Sequence, residues 1–159
     1  MDGAQQTATG SPSTRAERSP FPRRTRVLIV DDLAENRQML AVCCEQFGVA
    51  HEWAADGREA VEIAGTGRFD VILMDILMPR MDGIAATRAI RALPEPVSQV
   101  PIIAVTTAAA PGEVLRYLAC GMTDVVSKPV NPARLAEAMT AALAPARRRR
   151  KAAAAQVAG

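Results

Sequence analysis

Five polar residues stand where the short apolar runs of this sequence stop. Val27-Leu28-Ile29-Val30 stops at Asp31-Asp32, and Val71-Ile72-Leu73-Met74 stops at Asp75. Ile102-Ile103-Ala104-Val105 stops at Thr106, and Val125-Val126 stops just before Lys128. Three carboxylates gathered in one poorly solvated cleft repel each other strongly. A hard cation with oxygen ligands relieves that repulsion, and magnesium does so with few protein carboxylates and several waters. Lys128 adds a point charge and Thr106 a hydroxyl. The set reads as a phosphoryl site: a carboxylate nucleophile can form an acyl phosphate, while metal and ammonium neutralise charge on the group in transfer. This chemistry needs neither His nor Cys. The single histidine, His51, falls inside a predicted strand with no cluster of metal-ligating neighbours and reads as structural.

The gathering depends on what lies between the runs. Each apolar run is short and β-branched, as in a strand buried on both faces. Helical spacing follows the first run through Met39, Leu40, Cys43 and Phe47, with Gly48 as the predicted C-cap. A strand is predicted from Val49 to Ala54, and Asp56-Gly57 opens a second helix through Ala60, Val61 and Ala64. Further helices are predicted from about Gly83 to Leu93, from Pro111 to Cys120 with Gly121 after it, and from Asn131-Pro132 through Leu135, Met139 and Leu143. Proline at the first helical position suits that last start. Five βα units in regular alternation predict an α/β fold, a doubly wound five-stranded parallel sheet with helices on both faces. Ligands bind such sheets beyond the carboxyl ends of the strands, where the five polar residues stand.

Composition narrows the classes. Of the formal +2 charge, residues 1–26 carry +3 and the Arg147–Lys151 run carries +5, so residues 27–146 carry −6. An acidic globule suits cation binding and lacks the basic face that specific nucleic-acid recognition needs. The basic run reads as a solvated tail, or as a weak electrostatic contact for an anionic partner. Three cysteines, Cys43, Cys44 and Cys120, make no CxxC pair, which points to a reducing, cytoplasmic setting. No 18-residue apolar run predicts a membrane span, and no apolar segment near Met1 predicts a secretory signal. Residues 1–24, rich in Gln, Thr, Ser, Pro and Arg, are predicted to be disordered, and residues 146–159 to form a basic, Ala-rich tail whose first part can extend the last helix.

Read together, these segments resemble the response-regulator receiver family. Val27-Leu-Ile-Val-Asp31-Asp32 with Asn36-Arg37 is similar to that family's opening. Asp70-Val-Ile-Leu-Met-Asp75-Ile-Leu-Met-Pro79-Arg-Met-Asp82-Gly83 is similar to its phosphoacceptor strand and loop, and Pro101-Ile-Ile-Ala-Val-Thr106 and Lys128-Pro129 supply the remaining motifs. The likeness covers about residues 25–145. It implies a flavodoxin-like (βα)5 fold with Asp75 as phosphoacceptor. It also implies Mg2+ held by Asp32, by Asp31 through water, by Asp75 and by the backbone carbonyl of Leu77. Lys128 would hold a phosphoryl oxygen, Thr106 would turn its hydroxyl onto the phosphoryl group, and the Lys128–Pro129 peptide would be cis. One position departs from the pattern. Val125 stands where family members often carry an aromatic residue that turns inward with the threonine, and Tyr117 is not at the matching position.

The resemblance implies a phosphohistidine donor, either a sensor histidine kinase or a histidine phosphotransfer protein. The chain would modify only itself rather than act as an enzyme on external substrates. Output would run through a downstream protein partner or through onward transfer, because no second domain is expected after residue 146. The expected contact surface is the helix at 111–120 with the last strand and last helix. The wording also resembles receivers of hybrid histidine kinases. An aspartyl-phosphate phosphohydrolase would need a second Asp two residues after the nucleophile, where this chain has Leu77. Asp31 and Asp32 could alternatively cap the first helix. Gly65-Thr66-Gly67 follows a helix and precedes a strand, the reverse of a dinucleotide fingerprint.

Overall fold

A computed structural model of the chain describes residues 19–22 and 24–157. Five strands, β1 (Arg26–Val30), β2 (Ala50–Ala54), β3 (Val71–Met74), β4 (Ile102–Thr106) and β5 (Asp124–Ser127), alternate with five helices. These are α1 (Ala34–Phe47), α2 (Gly57–Ala64), α3 (Gly83–Arg91), α4 (Pro111–Ala119) and α5 (Pro132–Val157). A short 3₁₀ turn, Val97–Gln99, precedes β4. All strand pairings are parallel, in the order β2-β1-β3-β4-β5. The winding reverses between β1 and β3, which opens the crevice at their carboxyl ends where ligands enter such folds.

Alternation along the strands builds two cores. Val27, Ile29, Leu73, Ile103 and Val105 face one layer, against Leu40 and Cys44 of α1 and Leu135 and Met139 of α5. Leu28, Val30, Ile72, Met74, Ile102 and Ala104 face the other, against Ala60 of α2, Ile84 and Ile90 of α3 and Tyr117 of α4. Every one of these side chains is almost wholly buried, and each large one contributes about 1.5–3 kcal/mol relative to exposure. Both faces of β1, β3 and β4 are therefore apolar, which explains the uninterrupted runs in the sequence.

Local signals set the ends. Gly48 adopts φ 69° at the end of α1, and its N–H reaches the carbonyls of Cys44 and Glu45; glycine takes that left-handed conformation without the penalty a Cβ imposes. Asp56 and Asp82 cap α2 and α3 by accepting hydrogen bonds from the Glu59 and Ala85 amides. Pro111 begins α4 and Pro132 begins α5, where the missing N–H costs nothing.

One expectation is corrected at the start of the domain. The disorder predicted for residues 1–24 fails at its described end: Phe21 is buried and its ring lies 5.5 Å from that of Phe47. Ser19 donates its hydroxyl hydrogen to the Phe47 carbonyl. One aromatic residue in a polar segment is a weak sequence signal, yet it covers the open end of the α1 layer. Residues 1–18 and 23 lie outside the described residues. At the other end the backbone of α5 continues through Pro145 to Val157, so the last helix extends into the basic, Ala-rich segment. Ala-rich sequence with Arg and Lys has high helix propensity, enough to carry the helix past a proline that lacks its own backbone donor.

Candidate functional site

The register of β1 and β3 pairs Val30 with Met74, and the Asp75 amide donates to the Val30 carbonyl at 2.9 Å. The residues that follow each strand are thereby set side by side. Asp31, Asp32 and Asp75 each place a carboxylate oxygen within 4.8 Å of the others. Asp31 is fully buried, Asp75 is 8% exposed, and Asp32 is half-buried toward the opening. Lys128 arrives from the turn after β5, where its amide donates to the Thr106 carbonyl at 2.9 Å. Its ammonium lies 2.9 Å from Asp31 Oδ2 and 3.4 Å from Asp75 Oδ1. The peptide that follows it, Lys128–Pro129, is cis, as is Glu95–Pro96.

Each acid has a framework. Asp31 Oδ1 accepts from the Leu33 amide at 2.9 Å and from Asn36 Nδ2 at 3.3 Å. Arg37 donates to the Asp31 carbonyl at 2.9 Å, and its guanidinium lies 4.3 Å from the centre of the half-exposed Trp53 ring. Asp75 Oδ1 accepts from the Ile76 amide at 2.8 Å. The loop after it is tied down where the Gly83 amide donates to the Ile76 carbonyl at 2.8 Å. A Cβ on Gly83 would collide with the Asp75 carbonyl oxygen. Glycine is required here by close approach of two backbone segments.

Burial raises the Asp75 carboxyl above its usual range, the charge of Asp31 raises it further, and Lys128 and the Ile76 amide only partly oppose this. The site therefore holds more negative charge than its own lysine balances. Three carboxylates with no sulfur or imidazole donor among them fit a hard divalent cation. A polarised carboxylate beside such a cation can also attack phosphorus.

All five polar residues singled out in the sequence stand at this edge. Thr106 is 1% exposed and its Oγ1 accepts from the Ala108 amide at 3.1 Å, whereas the neighbouring Thr107 is exposed. Leu77 follows in the β3–α3 loop with its side chain 70% exposed. Asp31 and Asp32 do not cap α1: its N-cap is Leu33, and no side-chain cap bond is made. The buried phenol of Tyr117 also reaches this corner, donating to the Ala108 carbonyl at 2.9 Å. Tyr117 sits on α4 rather than at a strand end, and only the fold brings its hydroxyl here.

This crevice, built on a doubly wound parallel sheet, defines an acidic phosphoryl-type site at a topological switch point. Residues 27–140 match the family model described as the response regulator receiver domain. The chain belongs to that family, the receiver domains of two-component systems. It is 41% identical over 109 residues to the signal transduction histidine-protein kinase BarA of Escherichia coli K12, covering 69% of this chain and 12% of BarA. It is 34% identical over 103 residues to the transcription factor SKN7 of Saccharomyces cerevisiae, covering 65% of this chain and 16% of SKN7. The chain thus spans a small part of these relatives. Among solved structures it resembles the receiver domain of sensor histidine kinase PA1611 from Pseudomonas aeruginosa PAO1, which has a magnesium ion in its active-site cleft. That match has a TM-score of 0.70 and 36% identity, and covers 76% of this chain and 98% of the other. The chemotaxis protein CheY4 of Vibrio cholerae matches with a TM-score of 0.69 and 37% identity, covering 75% of this chain and 98% of that one. Among the described residues no helix is long and apolar enough to cross a membrane.

Proposed function

We propose that this receiver accepts a phosphoryl group on Asp75 from a phosphohistidine of a sensor histidine kinase or histidine phosphotransfer protein. The observation that carries the reading is the convergence of Asp31, Asp32, Asp75 and Lys128 within a few ångströms at the end of the sheet. Asp31, Asp32 and Asp75, with the backbone carbonyl of Leu77, would hold Mg2+. Bound there, the ion would supply positive charge to offset that of the transferring phosphoryl group.

The remaining steps belong to the chain's own residues. Asp75 Oδ1 is held by the Ile76 amide and Lys128, which leaves Oδ2 to attack. The new O–P bond forms as the P–N bond of the phosphohistidine breaks and the imidazole departs. Lys128 moves its ammonium from the two carboxylates to a phosphoryl oxygen, which replaces the charge it faced. Thr106 turns its hydroxyl to donate to another. Asp31 stays fixed by Leu33 and Asn36, so the site is preorganised and little reorganisation accompanies transfer. The chemistry is confined to the chain's own aspartate, with no external substrate turned over, in a cytoplasmic setting. The acidic domain makes no sequence-specific contact with nucleic acid.

The mark then acts through a downstream protein partner or by onward transfer to another histidine. The likeness to BarA and to the PA1611 receiver, both named as histidine kinases, favours onward transfer as a second output. Incubation with magnesium and acetyl phosphate, followed by a phosphate-affinity gel, tests the reading. The parent should shift, Asp32→Ala should shift far more slowly, and chelation should abolish the shift. A shift that is unaffected by chelation would overturn the metal-assisted mechanism.

A further inference from the structure

Val125 leaves the β5 position without a ring, but the corner beside Thr106 does not lack one. Tyr117 is the only tyrosine of the chain. Its ring is 1% exposed within the core layer beneath α4, where Val125 packs at the margin. Ala108 is bound on both sides. Its N–H donates to Thr106 Oγ1 at 3.1 Å, and its carbonyl accepts from the Tyr117 hydroxyl at 2.9 Å. Burial, and then the charge of Glu113, raise the Tyr117 hydroxyl above its ordinary range, so it remains a proton donor at neutral pH.

One residue thus links the hydroxyl next to the acidic site to a ring anchored in α4. A threonine hydroxyl that rotates toward a phosphoryl oxygen on Asp75 withdraws Oγ1 from the Ala108 amide. A part-buried amide without an acceptor is unfavourable, so residues 107–110 must shift to find another. The Ala108 carbonyl moves with them and carries the Tyr117 hydroxyl along. Leu115 and Leu118 flank Tyr117 on the same helix and are 70% and 42% exposed. A small rotation of α4 changes how these two leucines are presented. An apolar pair on a moving helix is a surface that a protein partner can read.

We propose that Tyr117 is the positioning residue through which the state of Asp75 reaches the surface of α4, in place of an aromatic residue on β5. The inference rests on phosphorylation of Asp75, and the test separates the two. A single tyrosine gives a single resonance when the full chain is labelled with 3-fluorotyrosine. Phosphoramidate and magnesium are added, and each sample is read both by fluorine NMR and on a phosphate-affinity gel.

In the parent, the resonance should shift in proportion to the phosphorylated fraction. In Thr106→Val, the phosphorylated fraction that does form should leave the resonance in place. Tyr117→Phe should phosphorylate as the parent does, yet lose the phosphorylation-dependent amide shifts of residues 114–118 in nitrogen-correlated spectra. A fully shifted gel band with an unmoved fluorine resonance would overturn the coupling and leave the acceptor assignment standing. Equal movement in Thr106→Val, or amide shifts retained in Tyr117→Phe, would also overturn it. No gel shift in any sample would remove the acceptor assignment and the coupling together.

Discussion

Replacing Asp75 by Asn should make the metal-free protein more stable. The change keeps the shape of the side chain and removes one charge from the crowded edge. Carboxylate oxygens of Asp31 and Asp32 lie within 4.8 Å of Asp75, which at an effective dielectric constant of about 20 means at least about 3.5 kcal/mol of repulsion from each. Attraction to Lys128 at 3.4 Å returns about 5 kcal/mol on the same scale. Repulsion therefore exceeds attraction by about 2 kcal/mol, and burial of Asp75 weighs further against the charge. The raised Asp75 carboxyl, caused first by burial and then by Asp31, has the same sign. After screening at the half-open Asp32, Asp75→Asn should gain about 1–2 kcal/mol at pH 7, a rise in Tm of about 3–8 °C. Thermal unfolding followed by circular dichroism in chelator measures it. In magnesium the order should narrow or reverse. A cation at ten times its Kd adds about 1.4 kcal/mol to the parent, and the variant loses one of its ligands. A variant less stable than the parent in chelator would refute the electrostatic reasoning.

Gly83→Ala should lower both stability and phosphorylation, because a Cβ meets the backbone of Asp75 itself; a loss of about 1–3 kcal/mol by chemical denaturation is expected, and parental behaviour would contradict the packing described. Phe21→Ala should cost about 3 kcal/mol, as for a buried ring removed from a core, lowering the urea midpoint by about 1–2 M. The acyl phosphate should be long-lived, because the side chains of Leu77 and Ala108 cannot orient a hydrolytic water. Leu77→Asn and Ala108→Glu should each speed decay on the order of tenfold, measured by loss of the gel-shifted band, and unchanged lifetimes would refute that role.

The sheet and its acidic edge were legible in the sequence because they rest on short-range signals. Four-residue apolar runs declare strands buried on both faces, and a parallel sheet must bring their ends together, so Asp31, Asp75, Thr106 and Lys128 meet although far apart in the chain. Glycine and proline marked the helix ends for the same reason: Gly48 and Pro132 act through their own backbone geometry. What escaped depends on long-range packing. Phe21 gains its role only by meeting Phe47, and nothing in its polar neighbourhood announces that. Tyr117 sits on a helix stripe that would be apolar in any case, and its hydroxyl acquires meaning only from the Ala108 carbonyl.

Asp75 itself is expected to carry the phosphoryl group. Borohydride reduces an aspartyl phosphate to homoserine, which tandem mass spectrometry locates within a peptide. The protein is treated with acetyl phosphate and magnesium, reduced, digested and mapped. Homoserine at position 75, absent when acetyl phosphate is omitted, is the predicted result. Homoserine at Asp31, Asp32 or another aspartate, with Asp75 unmodified, would contradict the account.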